Sequence, residues 1–452
     1  MNESRELAEF VTKLKYENLP KNVVQKTKDL VLDQLGVELA CSTKPWSNAV
    51  YRDAMNHGGK EESTIINYGD KIPVLSAAFV NSSFGHGFEI DDMYRRGMIH
   101  PGCVVVPTAL AMGEKELISG KKFILAVAVG YEIMGRVSAA AAPSMLALGH
   151  HPTSSCGPFG AAAAGAKILD FDADLTLHAL GVAGSTSCGL GEFNQTGGMV
   201  KRIHGALGAS GGLRGVLLAK EGITGPPTIL EGNHGFLRAF SNEKKSDLLT
   251  ADLGKSWVVL EIGYKIHANC GMNHAPIDSL LRIMAKHSFK AEDVAEIVIL
   301  HNSNAPHFIG AIKEPTTIPD AQFSGYFTIA MTVVLGNNDF RSYTDEILKN
   351  GAIRNLAKRV RFEVDPEAEA NYPQKRIGGV AVKLKNGSTY QEKTEYAKGN
   401  PENPLTDKEL KDKFRDLSSI VLPKQQVEGI IATVDSLEVL EDVSVLAKML
   451  RR

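Results

Sequence analysis

The stretch VAVKLKNGSTYQEKT, residues 380–394, decides how this chain is divided. Polar and apolar residues alternate on both sides of Asn386-Gly387, and alternation around an Asn-Gly pair is the strongest short-range signal of a β-hairpin. Residues 294–300 (VAEIVIL) are rich in β-branched side chains, and residues 361–364 have the composition of another strand. Helical patterns lie between these strands, at residues 275–287 and 324–334. The region as a whole is therefore predicted to be α+β.

The first 260 residues have helical patterns instead. Apolar side chains recur at helical spacing in residues 23–41, and five further helices are predicted, at 74–84, 104–114, 123–141, 160–169 and 175–185. Many of these segments are rich in Ala and Gly, and small residues let neighbouring helices approach closely. The pattern predicts a compact, multilayered helical bundle, and the breaker-rich residues 222–235 predict a loop.

The last segment returns to a helical pattern. NPENP at residues 400–404 is typical of a linker, and Thr406 and Glu409 then form a capping box that begins a helix. Residues 426–437 predict another helix. The predicted fold class is mainly α with an α+β part. A helical domain made from both chain ends, residues 1–260 and 397–452, would carry an inserted α+β lid domain, residues 261–396.

Composition limits the classes of function. At 452 residues the chain exceeds one ordinary core, so two or more domains are expected. The net charge is −2 and Lys and Arg are dispersed, which argues against binding to nucleic acid or an anionic membrane. The polar opening MNESRELAEF predicts no signal peptide, and five widely spaced cysteines are typical of reduced thiols in a cytoplasmic protein. The sequence has no CxxC, HExxH or acidic calcium-loop pattern, so no metal site is predicted.

Residues 86–107, HGFEIDDMYRRGMIHPGCVVVP, concentrate titratable groups beside an apolar run. Unpaired charge is costly to bury, whereas groups of opposite and convertible charge against an apolar wall suit proton-transfer chemistry. A surface network of ion pairs explains the same residues equally well. The candidate residues of this segment are His86, Glu89, Asp91, Asp92, Arg95, Arg96 and His100.

Two further segments bring basic residues close to glycines. His150 and His151 precede a small-residue helix whose free N–H groups would favour an anionic ligand; a hinge pair of histidines is the alternative. GGMVKRIHG at residues 197–205 places Lys201, Arg202 and His204 within one turn. The flanking glycines permit close approach of the backbone to a ligand, and a solvated basic turn is the alternative.

The segment YKIHANCGMNH, residues 264–274, lies at the predicted domain junction, where ligand clefts tend to form. Lys265, His267 and His274 could face that cleft, whereas Cys270 is predicted to be a buried, inert thiol. Residues 322–327 open an apolar helix and are assigned to packing. Apart from the acids of residues 86–107, the candidate segments contain few acidic residues, and their basic residues are more numerous. That balance suits a small di- or tricarboxylate held by charge-assisted bonds, with proton abstraction next to a carboxylate as the chemistry.

Five segments, taken in order along the chain, resemble the MmgE/PrpD family: HGFEIDDMYRRGMIHPGCVVVPTALAMGE, HHPTSSCGPFGAAAAGAKIL, GGMVKRIHGALGASGGLRGVLLAKEGITGPPTILEGNHGF, YKIHANCGMNHAPID and GNPENPLTDKELKDKF. The family comprises 2-methylcitrate dehydratases, cis-aconitate decarboxylases and iminodisuccinate epimerases. The resemblance spans residues 60 to 415, and its most specific part is MVKRIHGA with the following ITGP and LEG.

The resemblance implies an all-helical domain from both chain ends, an inserted α+β lid, a homodimer, and neither a metal nor an organic cofactor. By motif position it places in the pocket Asp91, Asp92, His100, His151, Lys201, Lys265 and His274. We predict that the catalytic residues are Asp91, Asp92, His100, His151, Lys201 and His274. The predicted substrate-binding residues are Arg95, Arg96, Arg202, His204 and Lys265.

The sequence also departs from the family pattern. Glu89 stands where many members have Asp, one methylene shorter. Asn269-Cys270-Gly271 replaces the common C-C-R, so an anion-binding arginine is expected to be absent. Phe327 falls near the position of a functional Tyr in the decarboxylases. These departures argue against itaconate-forming decarboxylation.

The leading prediction is a cofactor-independent lyase that dehydrates a hydroxy acid similar to 2-methylcitrate. His100 or Asp92 would move the proton at carbon, and His151 would help the hydroxyl leave. The carboxylates would be held by Lys201, Lys265 and Arg202. The alternatives are an epimerase of an amino- or imino-dicarboxylate such as iminodisuccinate, a cis-aconitate-type decarboxylase, and an inert homologue that only binds a carboxylate.

Overall fold

The computed structural model describes residues 2–243 and 245–452 and is mainly helical with an α+β part, as the sequence predicts. In residues 3–240 the α-helices are α1 (Glu3–Lys13), α2 (Lys21–Cys41), α3 (Pro45–His57), α4 (Val74–Gly85), α5 (Gly102–Glu116), α6 (Gly120–Ala141), α7 (Ser144–Ala147), α8 (Pro152–Ile168), α9 (Ala173–Gly184), α10 (Phe193–Thr196), α11 (His204–Lys220) and α12 (Phe236–Phe240). The later α-helices are α13 (His274–Lys286), α14 (Ala305–Ile309), α15 (Ile318–Gln322), α16 (Gly325–Leu335), α17 (Asp345–Leu348), α18 (Gly351–Ala357), α19 (Pro366–Asn371), α20 (Asp407–Ser418), α21 (Lys424–Asp435) and α22 (Ser444–Met449).

The strands form one four-stranded sheet and two short pairs. They are β1 (Ser63–Thr64), β2 (Lys71–Ile72), β3 (Met93–Tyr94), β4 (Ile262–Gly263), β5 (Val294–His301), β6 (Val360–Val364), β7 (Gly378–Leu384) and β8 (Thr389–Thr394). The larger sheet has the order β6-β5-β7-β8, with β5 and β6 parallel and the other neighbours antiparallel. The predicted hairpin is confirmed, and Gly387 adopts the left-handed φ of 92° that its turn requires.

Helices α8 and α11 pack closely in the helical part, and at two points their backbones come into direct contact. A Cβ atom added to Gly157 of α8 would lie 3.0 Å from the Cα of Gly208 of α11. Gly212, one turn further along α11, faces the Pro158 carbonyl oxygen, which a Cβ would approach to 2.2 Å. The Gly- and Ala-rich composition therefore sets how closely these two helices pack.

The C-terminal helices return to the helical part. Phe414 of α20 packs on Gly36 of α2, where an added Cβ would lie 3.0 Å from the phenyl ring. The Lys413 ammonium pairs with the buried Asp33 carboxylate of α2 at 2.7 Å. The pairing of β3 with β4 joins residues 93–94 to residues 262–263, next to the segment that leads into the α+β part.

Helix α6 is long and apolar enough to cross a membrane by length and composition. Its apolar window is entirely buried inside the protein, however. It contacts α8, α5 and α2, so it is a central helix of the core.

The close crossing of α8 and α11 makes a stability prediction. Gly212→Leu would drive a side chain into the α8 backbone, and overpacking of this kind costs typically about 1–3 kcal/mol. Gly351→Ala is the matched control, because nothing lies within 4 Å of a Cβ at this first residue of α18. We expect denaturant unfolding to show a clear loss of stability for Gly212→Leu and none for Gly351→Ala. Equal stabilities of the two variants would contradict the close contact.

Candidate active site

A cavity between the helical part and the α+β part brings together residues that are far apart in sequence. Its volume is about 110 Å³. The charged and imidazole side chains of the lining are Glu89, His100, His151, Lys201, Lys265 and Arg376. Apolar side chains form much of the remaining wall, among them Met93, Met98, Leu146, Phe193 and Phe323. A larger outer cavity of about 780 Å³ shares Met98, Leu146, Asn194, Phe308 and Tyr372 with the inner one.

Three cations converge on the carboxylate of Glu89. The Lys201 ammonium donates to Oε1, the Arg202 guanidinium donates to the same oxygen at 2.9 Å, and Lys265 donates to Oε2 at 3.2 Å. Burial alone would raise the pKa of Glu89, but the three cations hold it well below its usual range. Glu89 itself has a φ of 58°, a left-handed conformation that costs a non-glycine residue about 1–2 kcal/mol. The surrounding charges offset that cost.

Asp91 is a fully buried carboxylate surrounded by histidines and a lysine. Its Oδ2 lies 2.7 Å from Nδ1 of His86 and 3.6 Å from Nδ1 of His100. Its Oδ1 is 3.9 Å from the Lys265 ammonium. Burial would raise the pKa of Asp91, yet these neighbours hold it below its ordinary value, so the group is an anion.

His100 presents an acceptor nitrogen to the cavity. Its Nδ1 lies 2.7 Å from the backbone carbonyl oxygen of Asp92, an arrangement in which Nδ1 carries the proton and donates it. Burial lowers the pKa of His100 to about 3, against the opposing effect of Asp91. The ring is therefore neutral near pH 7, and its Nε2 has no hydrogen-bond partner among residues 2–243 and 245–452. A proton taken up at Nε2 would be stabilised by the Asp91 carboxylate nearby.

His151 and His204 form a histidine pair at the starts of two helices. His151 precedes α8, His204 begins α11, and their Nδ1 atoms are 2.9 Å apart. One Nδ1 must donate to the other, so the two rings are in different tautomers. Burial lowers the pKa of both, that of His204 to about 4, so the pair is neutral at pH 7.

Comparison with known proteins shows the family. The model of the MmgE/PrpD N-terminal domain matches residues 5–249, and that of the C-terminal domain matches residues 267–438. The chain belongs to the MmgE/PrpD family. Cis-aconitate decarboxylase-like protein oryM of Aspergillus oryzae is 29% identical over 99% of this chain and 97% of its own length. The cis-aconitate decarboxylases of Aspergillus terreus and Homo sapiens are 27% and 26% identical, over 98% and 97% of this chain and 95% and 92% of their own lengths.

The departure of this MmgE/PrpD chain at position 271 is accompanied by an arginine from another segment. Gly271 stands where an arginine is common, and the sequence predicts that an anion-binding arginine is missing. The structure supplies a guanidinium to the same cavity from Arg376, in the segment between α19 and β7. Arg376 Nη1 is 3.8 Å from the position that a Cβ of residue 271 would occupy. No sequence pattern indicated this arginine, because residues 271 and 376 meet only in the folded chain.

Asp92 lies behind the cavity and not in its lining. Its Oδ1 accepts from the N–H of Gly102 at the start of α5 at 2.9 Å, and its Oδ2 accepts from the Tyr131 hydroxyl at 2.7 Å. Burial raises the pKa of Asp92 to about 7. With both oxygens occupied, Asp92 holds the loop that carries His100, and the proton-transfer role that the sequence suggested has no support in this geometry.

Arg95 and Arg96 also lie outside the main cavity. They line a separate cavity of about 430 Å³. Arg95 pairs there with Glu402, and Arg96 lies 3.4 Å from Glu261. Since they line this separate cavity, these arginines are not placed to bind a carboxylate at the main site.

Arg202 and His274 support the site from behind. Arg202 is buried, donates to Glu89 and to the Gln322 side-chain oxygen at 2.7 Å, and is not part of the lining. His274 lines a smaller cavity beside Lys265, with its Nε2 3.4 Å from the carbonyl oxygen of Asn269. Gln322, assigned to packing from sequence, also donates to the carbonyls of Phe88 and Ala268, so it ties the two site segments together.

Cys270 lines the cavity, and burial raises the pKa of its thiol, in keeping with an inert cysteine. Phe327 is buried in α16 and is not part of the main lining. The phenol that does line the cavity is Tyr372, which no sequence pattern indicated.

One group of buried donor atoms has a geometry that could hold a metal ion. Ligand atoms of His86, Asp91 and Cys103 lie within 4.8 Å of one another. Two hydrogen bonds involve these residues: His86 Nδ1 pairs with Asp91 Oδ2, and the Cys103 thiol donates to the His100 carbonyl at 3.1 Å, while His86 Nε2 and Asp91 Oδ1 have no hydrogen-bond partner among the described residues. Burial also raises the pKa of Cys103, which disfavours the thiolate that a metal requires. The set therefore fits a hydrogen-bonded network better than a metal centre.

The raised pKa of Asp92 has a consequence for stability. Between its unfolded value of 3.8 and its folded value of about 7, the folded protein binds more protons than the unfolded chain at this position. This contribution to the free energy of unfolding therefore falls as pH rises through that window, by at most about 1.4 kcal/mol per pH unit. We expect Asp92→Asn to remove this fall when urea unfolding is measured across the window.

Asp172→Asn is the matched control for Asp92→Asn. Asp172 is an exposed carboxylate that also accepts a backbone N–H at a helix start, at 2.8 Å from Leu175. The Asp172→Asn substitution removes a carboxylate of the same kind without changing a buried group. A wild-type pH dependence that persists in Asp92→Asn would contradict the raised pKa.

Proposed function

We propose that this chain is a lyase that acts on a small di- or tricarboxylate by proton transfer at a carbon next to a carboxylate. The observation that carries the proposal is the pairing, in one cavity, of a neutral imidazole that can accept a proton, His100, with an ammonium that can donate one, Lys201. Burial lowers the pKa of Lys201 below that of a free lysine, which makes its ammonium a better donor. The relatives named cis-aconitate decarboxylases, similar over nearly their whole length, support the same class of chemistry.

Substrate binding is assigned to the two lysines. Lys201 and Lys265 both contact Glu89, but an ammonium has three donors, so each retains N–H groups that can meet a substrate carboxylate. Glu89 keeps the two ammonium groups charged and in place. A substrate carboxylate can then bind to their remaining N–H groups without displacing a protein contact.

Decarboxylation of a cis-aconitate-like substrate is the reaction that we place first. The carbon–carbon bond to one carboxylate breaks, carbon dioxide leaves, and the electron pair left on carbon takes a proton from Lys201, which regains it from water. The apolar wall that includes Met98, Phe193 and Phe323 suits the loss of charge when a carboxylate becomes carbon dioxide. The relatives carry the same activity in their names.

Dehydration of a 2-methylcitrate-like hydroxy acid is the second candidate. It needs a base for the carbon-bound proton and an acid for the departing hydroxyl, and the neutral His100 with the Lys201 ammonium supplies both. His151 does not carry the proton that the sequence-based role requires, because burial and its neighbour His204 lower its pKa well below the usual range and leave the ring neutral at pH 7.

We further propose a cytoplasmic homodimer in which residues 261–396 act as a lid over the helical domain of residues 1–260 and 397–452. The support is the family resemblance and the position of the cavity, whose lining comes from both parts. Light scattering on the purified protein would report the oligomeric state.

A substrate panel tests the proposed function. The purified protein is incubated in deuterated water with cis-aconitate, 2-methylcitrate and iminodisuccinate, with and without a chelator, and followed by NMR. We expect cis-aconitate to lose carbon dioxide and its product to gain one deuterium, unchanged by the chelator. Alkene formation from 2-methylcitrate would favour dehydration, and deuterium exchange without net reaction would favour an epimerase. No change in any substrate, or activity that requires a restored metal, would overturn the proposal.

Substitutions separate proton transfer from binding. His100→Asn should lower turnover by about 10²-fold or more, the typical contribution of a positioned acid or base. Lys265→Met should chiefly raise KM, because it removes a carboxylate contact and not the donor. His57→Asn is the control, since His57 is exposed at the end of α3. Near wild-type turnover in a folded His100→Asn variant would remove His100 from the mechanism.

A further inference from the structure

Arg376 has no acidic partner among residues 2–243 and 245–452. Its guanidinium lines the cavity, and the one hydrogen bond that it makes among the described residues runs from Nη1 to the sulfur of Met93 at 3.3 Å. A thioether sulfur is a weak acceptor, and a guanidinium has five N–H donors. Most of the hydrogen-bonding capacity of Arg376 is therefore unused by the protein.

The other cations near the cavity are already paired. Lys201, Arg202 and Lys265 all contact Glu89, and Lys265 also approaches Asp91. Even so, within the part of the chain that the structure describes, these three cations and Arg376 pair with two carboxylates, those of Glu89 and Asp91, so two positive charges are uncompensated while the histidines are neutral. A partly buried guanidinium is costly to desolvate without an anion. The charge balance thus calls for a ligand that brings negative charge to Arg376.

The surroundings of Arg376 leave space for such a ligand. Gly271 has no side chain, and a Cβ there would lie 3.2 Å from the Met93 sulfur and 3.8 Å from Arg376 Nη1. A larger residue at position 271 would therefore crowd this end of the cavity. The cavity wall here also includes Tyr372, whose ring comes from the same segment as Arg376.

We propose that Arg376 binds one carboxylate of the substrate and selects substrates that carry at least two. This inference rests on the proposed function and names its specificity-determining residue. The guanidinium forms two parallel N–H···O bonds with a terminal carboxylate at the Met93 and Gly271 end of the cavity. The second carboxylate is held by the lysines that pair with Glu89, and the reacting carbon lies between them.

The position of Arg376 in the fold gives this contact a second effect. Arg376 precedes β7 in the α+β part, whereas His100 and Lys201 belong to the helical part. A substrate that reaches from Arg376 to the lysines therefore bridges the two parts. A monocarboxylate of similar length can bind either to Arg376 or to the lysines, but not to both.

Binding measurements test the proposal without turnover. Succinate and glutarate serve as dicarboxylate probes, and butyrate and valerate as monocarboxylates of equal chain length, each titrated by calorimetry into wild-type protein, Arg376→Gln and Arg376→Lys. Charge-assisted hydrogen bonds contribute about 1.5–3 kcal/mol, so Arg376→Gln should weaken dicarboxylate binding by about 10- to 100-fold. Arg376→Lys should recover part of the lost affinity, because lysine keeps the positive charge but cannot form the two parallel N–H···O bonds of a guanidinium. Monocarboxylate binding should change little.

Lys375→Gln is the matched control, since Lys375 is the adjacent cation and pairs at the surface with Glu395 at 2.5 Å. It removes the same charge and should leave the affinity for succinate unchanged. Equal losses for mono- and dicarboxylates in Arg376→Gln, or an equal loss in Lys375→Gln, would overturn the inference. If Arg376→Gln unfolds, the Arg376→Lys variant is used instead. An Arg376→Lys variant with wild-type affinity for dicarboxylates and wild-type preference for them over monocarboxylates would also overturn the inference. Failure of the substrate panel leaves this test intact, because dicarboxylate binding is measured directly.

Discussion

The convergence of Lys201, Arg202 and Lys265 on the carboxylate of Glu89 is the interaction on which the rest of the site depends. Three buried cations cannot share a small volume unless an anion lies among them. Glu89 supplies it from a loop residue in a left-handed conformation, which only a strongly determined environment can maintain. The segment that carries Glu89 also carries Asp91 and His100, so the ion pairs that hold Glu89 also position the Asp91 carboxylate and the His100 ring.

The same arrangement explains why the site contains neutral histidines beside permanent charges. Burial disfavours additional cations where the lysines and arginines already lie, and the pKa values of His100, His151 and His204 fall accordingly. Asp91 acts in the opposite direction on His100, because its carboxylate stabilises the imidazolium that forms when His100 takes up a proton. The site thus combines permanent charges that bind carboxylates with a neutral imidazole that can take up a proton, and the Lys201 ammonium both binds and donates.

The sequence predicted the fold class, the β7–β8 hairpin and four charged or titratable residues of the cavity lining, because these depend on local periodicity or on motifs within one segment; the four residues are His100, His151, Lys201 and Lys265. It did not separate lining residues from supporting ones. Asp92 and Arg202 sit in the same motifs as Asp91 and Lys201, and only the direction of each side chain in the folded chain distinguishes them. Arg376 and Tyr372 could not be found at all, since their segment meets the cavity through the packing of the α+β part.

The backbone contact between Gly157 and Gly208 has a consequence for how this site can diverge. His151 and His204 stand at the starts of the two helices that this contact holds together, so the 2.9 Å separation of their rings is inherited from main-chain packing. The side of the cavity that these two helices form therefore tolerates little change in side-chain size. New substrate preferences are easier to acquire on the α+β side, where a loop such as the one bearing Arg376 can exchange residues without moving a helix.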